Sequence, residues 1–413
     1  MEGQVSTSPA PSLWEGWIFY PLGVALLFLA PAALTSFVFR RRSYLGDAEA
    51  APLGLLTVRE EKSSEQTTDD ELERMPPCYS TPDADPSEGE WRSSANGVDD
   101  SPVDMVNWLF PHGQFDFLKK CQNIWNRDHR DAKKPRPYWA WEPTKCSLHA
   151  INEASFCQVM EGRIGLLFVG DSLTRLSTTT LASILRARSV NADLMQDDWE
   201  ACGGKLKLRF MRNDVLDVRT EPRYRSVQCE EEDQGPVMEG TRCRLFATDN
   251  TLSEFDTLVV NSGAHPRPID QYGREMETAA EALTASMTRL HGQGKAVLVV
   301  RNTIPGHWGC TDRMFDGPVD ANVAAELVNA SPKSFEWKSF HDRNVLLEKA
   351  FSPDRGWRLL DAYSPTLLRP DTHIGGKDCL HYCVPGPADH WIVLLYNILL
   401  AFKGGSQASE IGH

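Results

Sequence analysis

Three short apolar runs constrain the fold of this chain more than any other feature. Ile164 to Val169, Phe255 to Val260 and Ala296 to Val300 are nearly unbroken and rich in β-branched side chains. A strand with one wet face alternates apolar and polar residues, so runs like these predict strands covered on both faces, as in a parallel sheet between helices. Helical patterns stand between and after them. Leu173, Leu176, Ile184 and Leu185 share one face, and the segment from Glu277 to Leu290 stops before Gly292. Trp391, Leu394, Leu395, Ile398, Leu399 and Phe402 recur at spacings of three and four. The alternation predicts an α/β fold with a parallel central sheet, whose functional residues collect at the carboxyl ends of the strands.

At 413 residues the chain can bury a substantial core. Its 43 Lys and Arg against 57 Asp and Glu give a formal charge of −14, which excludes a nucleic-acid binder that works by electrostatic attraction. Much of that acidity is local. Arg59 to Asp104 holds 14 acidic and 4 basic residues, together with many Ser, Thr and Pro, too little apolar surface to offset the entropy of ordering. The expected organisation is a tail over 1–15, an anchor over 16–39 and an acidic stalk over 40–77. A catalytic domain follows over 78–404, starting at Cys78 because Cys78 and Trp91 are unusual linker residues, and a tail covers 405–413.

Gly16 to Phe39 is a stretch of 24 residues without a formal charge, which as a helix spans about 36 Å, enough to cross a bilayer. Trp14, Trp17 and Tyr20 stand where an interfacial aromatic belt would lie. A core helix of this length would carry a polar stripe. A cleaved signal peptide would have a basic start and a shorter apolar core, so an uncleaved single-pass anchor in the lipid bilayer is expected. Orientation is contested: Arg40, Arg41 and Arg42 favour a cytosolic domain by the positive-inside rule. Ten cysteines without any C-x-x-C pair read as a disulfide framework in an oxidising lumen, with no metal site.

The chemistry begins at Gly170-Asp171-Ser172, which follows the first strand and opens the next helix. Ser172 there could be a nucleophile using its own N–H as an oxyanion donor, or simply a helix cap. Asp378-Cys379-Leu380-His381 places a carboxylate three residues before an imidazole, so that Asp378 can hold one ring nitrogen while the other faces a serine. His373, beside Asp371, is the rival base. Asn261 and Gly263 end the second strand and could complete an oxyanion pocket, or only stabilise a turn.

Gly170-Asp171-Ser172-Leu173-Thr174-Arg175 and the block from Asp378 to Trp391 resemble the GDS and DCxHWCLPGxxDxW motifs of the trichome-birefringence-like, or PC-esterase, proteins. Tyr138 to Cys146 resembles that family's YxxWRWxPxxC, with Ala140 in place of Arg, and Cys78 with Gly89-Glu90-Trp91 resembles its opening C…GxW. Tyr382 and Ile392 depart from the usual Trp and Asn, and Asn261 to His265 is a looser NTGHWW. The resemblance covers Cys78 to Phe402. It implies an SGNH-like three-layer sandwich and a Golgi O-acetyltransferase with Ser172, His381 and Asp378 as its triad. It also implies pairs Cys78–Cys146, Cys121–Cys383 and Cys310–Cys379, leaving Cys157, Cys202, Cys229 and Cys243 unassigned. Arg301, matching the family's FRT segment, would orient an acyl group or sugar, or sit in an ion pair. Gly170 and Asp171 join the oxyanion and substrate candidates. The expected partners are a polysaccharide or glycan acceptor and an acetyl donor such as acetyl-CoA, with no bound cofactor. A carbohydrate esterase with the same triad and an inactive glycan-binding relative are the alternatives. The cysteine scaffold outweighs the three arginines, so a luminal domain is expected.

Overall fold

The computed structural model describes residues 75–94, 101–102, 121, 138–219, 241–265, 267–310, 315–333, 335–375 and 378–410. In chain order, β1 (Gly89–Ser93) pairs antiparallel with β2 (Trp139–Pro143), which sets Trp91 opposite Trp141. Next come α1 (Glu153–Val159), β3 (Gly165–Gly170), α2 (Ser172–Ile184), β4 (Arg188–Ala192), β5 (Gln196–Ala201), β6 (Leu206–Arg212), β7 (Thr257–Val260) and α3 (Ile269–His291). The remainder includes β8 (Val297–Arg301), α4 (Ala321–Asn329), α5 (Phe340–Ala350), β9 (Trp357–Leu360), β10 (His373–Gly375), β11 (Asp378–Tyr382) and α6 (Pro387–Glu410).

The central sheet has seven strands in the order β4-β5-β6-β3-β7-β8-β9, and its five strands from β6 to β9 run parallel. The unbroken apolar runs have a direct cause. Leu166 and Phe168 of β3 face a core completed by Phe156, Leu173, Leu176, Trp391 and Leu395 of α1, α2 and α6. Leu167 and Val169 face the opposite core, with Tyr272, Met276 and Leu283 of α3 and Leu347 of α5. Each such buried side chain stabilises the fold by about 1.5–3 kcal/mol, so either face alone would leave half of that unrealised.

Two features differ from the sequence reading. The β4-β5-β6 edge is antiparallel, and its short strands alternate: Asp197, Trp199 and Ala201 point inward from β5. Asp197 is tolerated there because Arg175 of α2 donates to both its oxygens, each at 2.6 Å. Helix α3 also begins at Ile269, well before Glu277, because Tyr272 and Met276 are buried while its intervening polar residues stay out. Among the described residues no helix is long and apolar enough to cross a membrane. The expected span 16–39, the stalk up to residue 74, Arg40 to Arg42 and Cys229 lie outside them.

Candidate active site

Ser172 opens α2 at the carboxyl end of β3, and β11 brings the D-x-x-H segment to it. His381 Nε2 lies 2.7 Å from Ser172 Oγ, and His381 Nδ1 is 3.0 Å from both carboxylate oxygens of Asp378. Asp378 also accepts the backbone N–H groups of Leu380 and His381, at 3.3 and 3.1 Å. Burial alone would raise its carboxyl, but the hydrogen bond and charge of His381 outweigh this and hold it well below the usual carboxylate range. The His381 side chain remains 23 % exposed.

The ambiguity over Ser172 is resolved by its neighbour. Asp171 is the N-cap: its Oδ1 accepts from Leu173 N at 2.9 Å and Thr174 N at 3.2 Å. Ser172 is therefore the first helical residue, its hydroxyl turned to His381 and its N–H one of those without an intrahelical acceptor. Asp171, a substrate candidate in the sequence, acts instead by building the turn and is fully buried. Gly170 is required by close approach, since a Cβ there would stand 2.3 Å from Thr174 Oγ1 and 2.8 Å from the Asn261 carbonyl.

Asn261 and Arg301 form a buried strut and not an open pocket. Both amide hydrogens of Asn261 are committed, to the Arg301 carbonyl at 2.8 Å and Thr303 Oγ1 at 3.0 Å. Its Oδ1 accepts from Arg301 Nη2 at 2.8 Å. In this arrangement both side-chain hydrogens of Asn261 face protein acceptors. Arg301 is 1 % exposed and its guanidinium is pushed down to about 10 by burial, opposed by Asp171. At that depth it ties the ends of β7 and β8 to Thr174 of α2, at 3.3 Å. Gly263 (φ 135°) turns the chain away from β7, and a Cβ on it would meet Thr303 Oγ1 at 2.7 Å.

His373 is placed behind the triad. Its Nε2 is 2.8 Å from His307 Nδ1, and its Nδ1 faces the His381 carbonyl at 3.2 Å, while His307 Nε2 reaches the Leu367 carbonyl at 2.8 Å. His381, not this rival, therefore faces Ser172. The sequence reading missed His307, whose only local signal is its place just beyond the β8 strand end. Two neutral imidazoles carry two N–H groups for these three contacts, so one contact lacks a hydrogen until acid supplies it.

These buried histidines give a pH prediction. Burial pushes His307 down to about 4 and His390 down to about 3. Unfolded imidazoles protonate near pH 6.5, so between there and about pH 4 the unfolded chain binds more protons and stability falls as the pH drops. For His307 alone the loss across that window is about 3 kcal/mol. Denaturation midpoints should be flat above pH 7 and decline steadily from pH 6.5 to 4, and the decline should lessen in His390→Gln.

Disulfides join Cys78 to Cys146, Cys121 to Cys383, Cys310 to Cys379 and Cys157 to Cys202. Cys243 is disulfide-bonded as well. The first three pairs are those the family resemblance implies. Cys379 and Cys383 flank His381 at two residues on either side, so two bridges hold the strand that carries it. A cavity of about 910 Å³ lies at the opposite end of the sheet beside Cys157 and Cys202, and none of the triad lines it. Among the described residues no group of three or more His, Cys, Asp or Glu is arranged to hold a metal ion.

No family model matches the chain. Individual proteins do. It is 23% identical over 369 residues to Xyloglucan O-acetyltransferase 1 of Arabidopsis thaliana, covering 76% of this chain and 85% of that protein. Protein trichome birefringence-like 25 of the same plant is 24% identical over 357 residues, 71% of this chain and 75% of its own length. Xyloglucan O-acetyltransferase 4 of Populus trichocarpa is 21% identical over 322 residues, 65% of this chain and 73% of that protein. The matches are long although the identities are low, and the homologues they identify are xyloglucan O-acetyltransferases and trichome birefringence-like proteins.

Proposed function

We propose that this protein is an SGNH-like polysaccharide O-acetyltransferase that carries the acetyl group on Ser172. The observation that carries this reading is the file of Asp378, His381 and Ser172 at 3.0 and 2.7 Å, with the serine released from capping by Asp171. The xyloglucan O-acetyltransferases among its relatives support transfer to a sugar hydroxyl.

Ser172 Oγ attacks the acetyl carbonyl of a donor such as acetyl-CoA while His381 Nε2 takes the hydroxyl proton. Ionised Asp378 holds Nδ1–H and stabilises the imidazolium. The N–H groups of Ser172 and Gly263 are the backbone candidates for the oxyanion in this reading. Collapse of the adduct expels the donor thiolate, which receives the proton from His381. A sugar hydroxyl then attacks the acyl-enzyme, His381 takes its proton, and returning that proton to Ser172 regenerates the enzyme. In this reading residues 16–39 anchor the chain in a Golgi membrane with the catalytic part in the lumen.

The test is incubation of the solubilised full-length chain with radiolabelled acetyl-CoA and a panel of polysaccharides. Label on a polysaccharide is expected. Label on free acetate alone would assign the triad to hydrolysis, and a Ser172 that neither acquires label nor reacts with a fluorophosphonate would reduce the protein to a glycan binder.

A further inference from the structure

We infer that Trp308 is a stacking platform for a sugar ring of the acceptor chain, next to the site of transfer. The inference rests on the acetyltransferase reading above and names where the polysaccharide lies. Among the described residues Trp308 is the only aromatic side chain in the group of large exposed apolar residues, at 40 % exposure. A single exposed apolar residue is ordinary on a protein surface. Trp308 differs because it is the outer end of a built stack.

Phe335 and Trp337 lie face to face with ring centroids 5.0 Å apart, and Trp308 leans on them at 6.1 and 6.3 Å. Trp337 is buried flat against the backbone of Gly306, where a Cβ would stand 2.5 Å from the ring. The loop beneath is fixed on three sides. His307 N donates to the Cys379 carbonyl at 2.9 Å, Trp308 N donates to the Leu327 carbonyl at 3.0 Å, and Cys310 is bridged to Cys379. An indole held this firmly presents a preformed surface and loses little entropy when a ligand covers it.

The stack is continuous with the catalytic residues. Trp337 packs in one cluster with Cys379, and Leu380, Ala264, Phe335 and Cys310 pack against that cluster. Leu380 precedes His381, Cys379 follows Asp378, and Ala264 follows Gly263, so the stack packs on the segments that carry and adjoin the triad. The chemistry names the occupant. A pyranose ring has a C–H face that matches a flat aromatic surface, and a polymeric acceptor must extend past the hydroxyl being acetylated. A rigid indole beside the triad suits such a neighbouring sugar unit better than it suits the charged phosphates of a donor.

The experiment compares binding of β-1,4-glucan oligosaccharides of two to eight units, and of xyloglucan, to Ser172→Ala and to Ser172→Ala/Trp308→Ala, by calorimetry. Loss of a central aromatic anchor typically weakens binding by about 10-fold or more. That loss is expected for the longer chains, with little change for the disaccharide and partial retention in Trp308→Phe. In the otherwise unaltered enzyme, Trp308→Ala should raise KM for polysaccharide while donor hydrolysis in its absence is unchanged. Equal affinities with and without Trp308, or loss of donor hydrolysis along with binding, would overturn the assignment. The binding comparison needs no transfer activity, so it decides Trp308 even if the acetyltransferase reading fails.

Discussion

Ser172→Ala is expected to lower acetyl transfer by about 10⁴-fold or more while leaving the denaturation midpoint where it was. The two halves of this result have separate causes. Activity goes because the acyl acceptor goes, and members of a nucleophile–base unit are not additive, so His381→Ala should be as severe. Stability stays because Asp171, not Ser172, caps α2, and alanine suits a first helical position. A serine that capped the helix would instead cost about 1 kcal/mol when removed. Acetyl transfer assayed alongside thermal denaturation therefore separates the roles. Full activity in Ser172→Ala would sink the mechanism, and full activity in His381→Ala but not in His373→Ala would move the base to His373.

The second large effect concerns the bridges around His381. Cys121–Cys383 closes a loop of sequence separation 262, which by the chain-entropy account stabilises a fold by about 5 kcal/mol, a sizeable share of a domain's whole stability. The double variant Cys121→Ser/Cys383→Ser should unfold at much lower denaturant concentration. Cys310→Ser/Cys379→Ser should lower kcat as well, because it releases the segment between Asp378 and His381. Cys157→Ser/Cys202→Ser, at the far end of the sheet, serves as the control: its loop of 45 predicts a stability loss of about 4 kcal/mol without a matching loss of kcat at temperatures where it is folded. Peptide mapping without reductant should recover Cys121 joined to Cys383 and Cys310 joined to Cys379. Free thiols at all four positions would contradict both the bridges and an oxidising compartment.

Much of the site was legible because its signals are local. A buried parallel strand announces itself in consecutive residues, as Leu166 to Val169 do, since both faces must be apolar. The turn at Gly170 and the three-residue spacing from Asp378 to His381 are likewise written within a few positions, and the family motifs tied them together before any contact was known. The edge strands β4 and β5 were not legible. They are short, half-exposed and interrupted by charge, and Asp197 looks like a surface residue until Arg175, on another element, is seen to hold it.

The same limit governs the site's supporting residues. Asn261 and Arg301 were visible as polar residues ending strands, which marks a functional region but not a role. Whether such an amide faces substrate or the protein depends on its hydrogen-bond partners, and for Asn261 these are the carbonyl of Arg301 and the hydroxyl of Thr303, some forty positions away. His307 was silent in the sequence because nothing beside it marks a pairing with His373. The sequence by itself determined the strand cores, the turn from Gly170 to Ser172 and the carboxylate–imidazole pair, all set by short-range geometry. Only the tertiary structure decided which polar side chains reach solvent and which hold the sheet ends together, because burial and partnership are properties of residues distant in the chain.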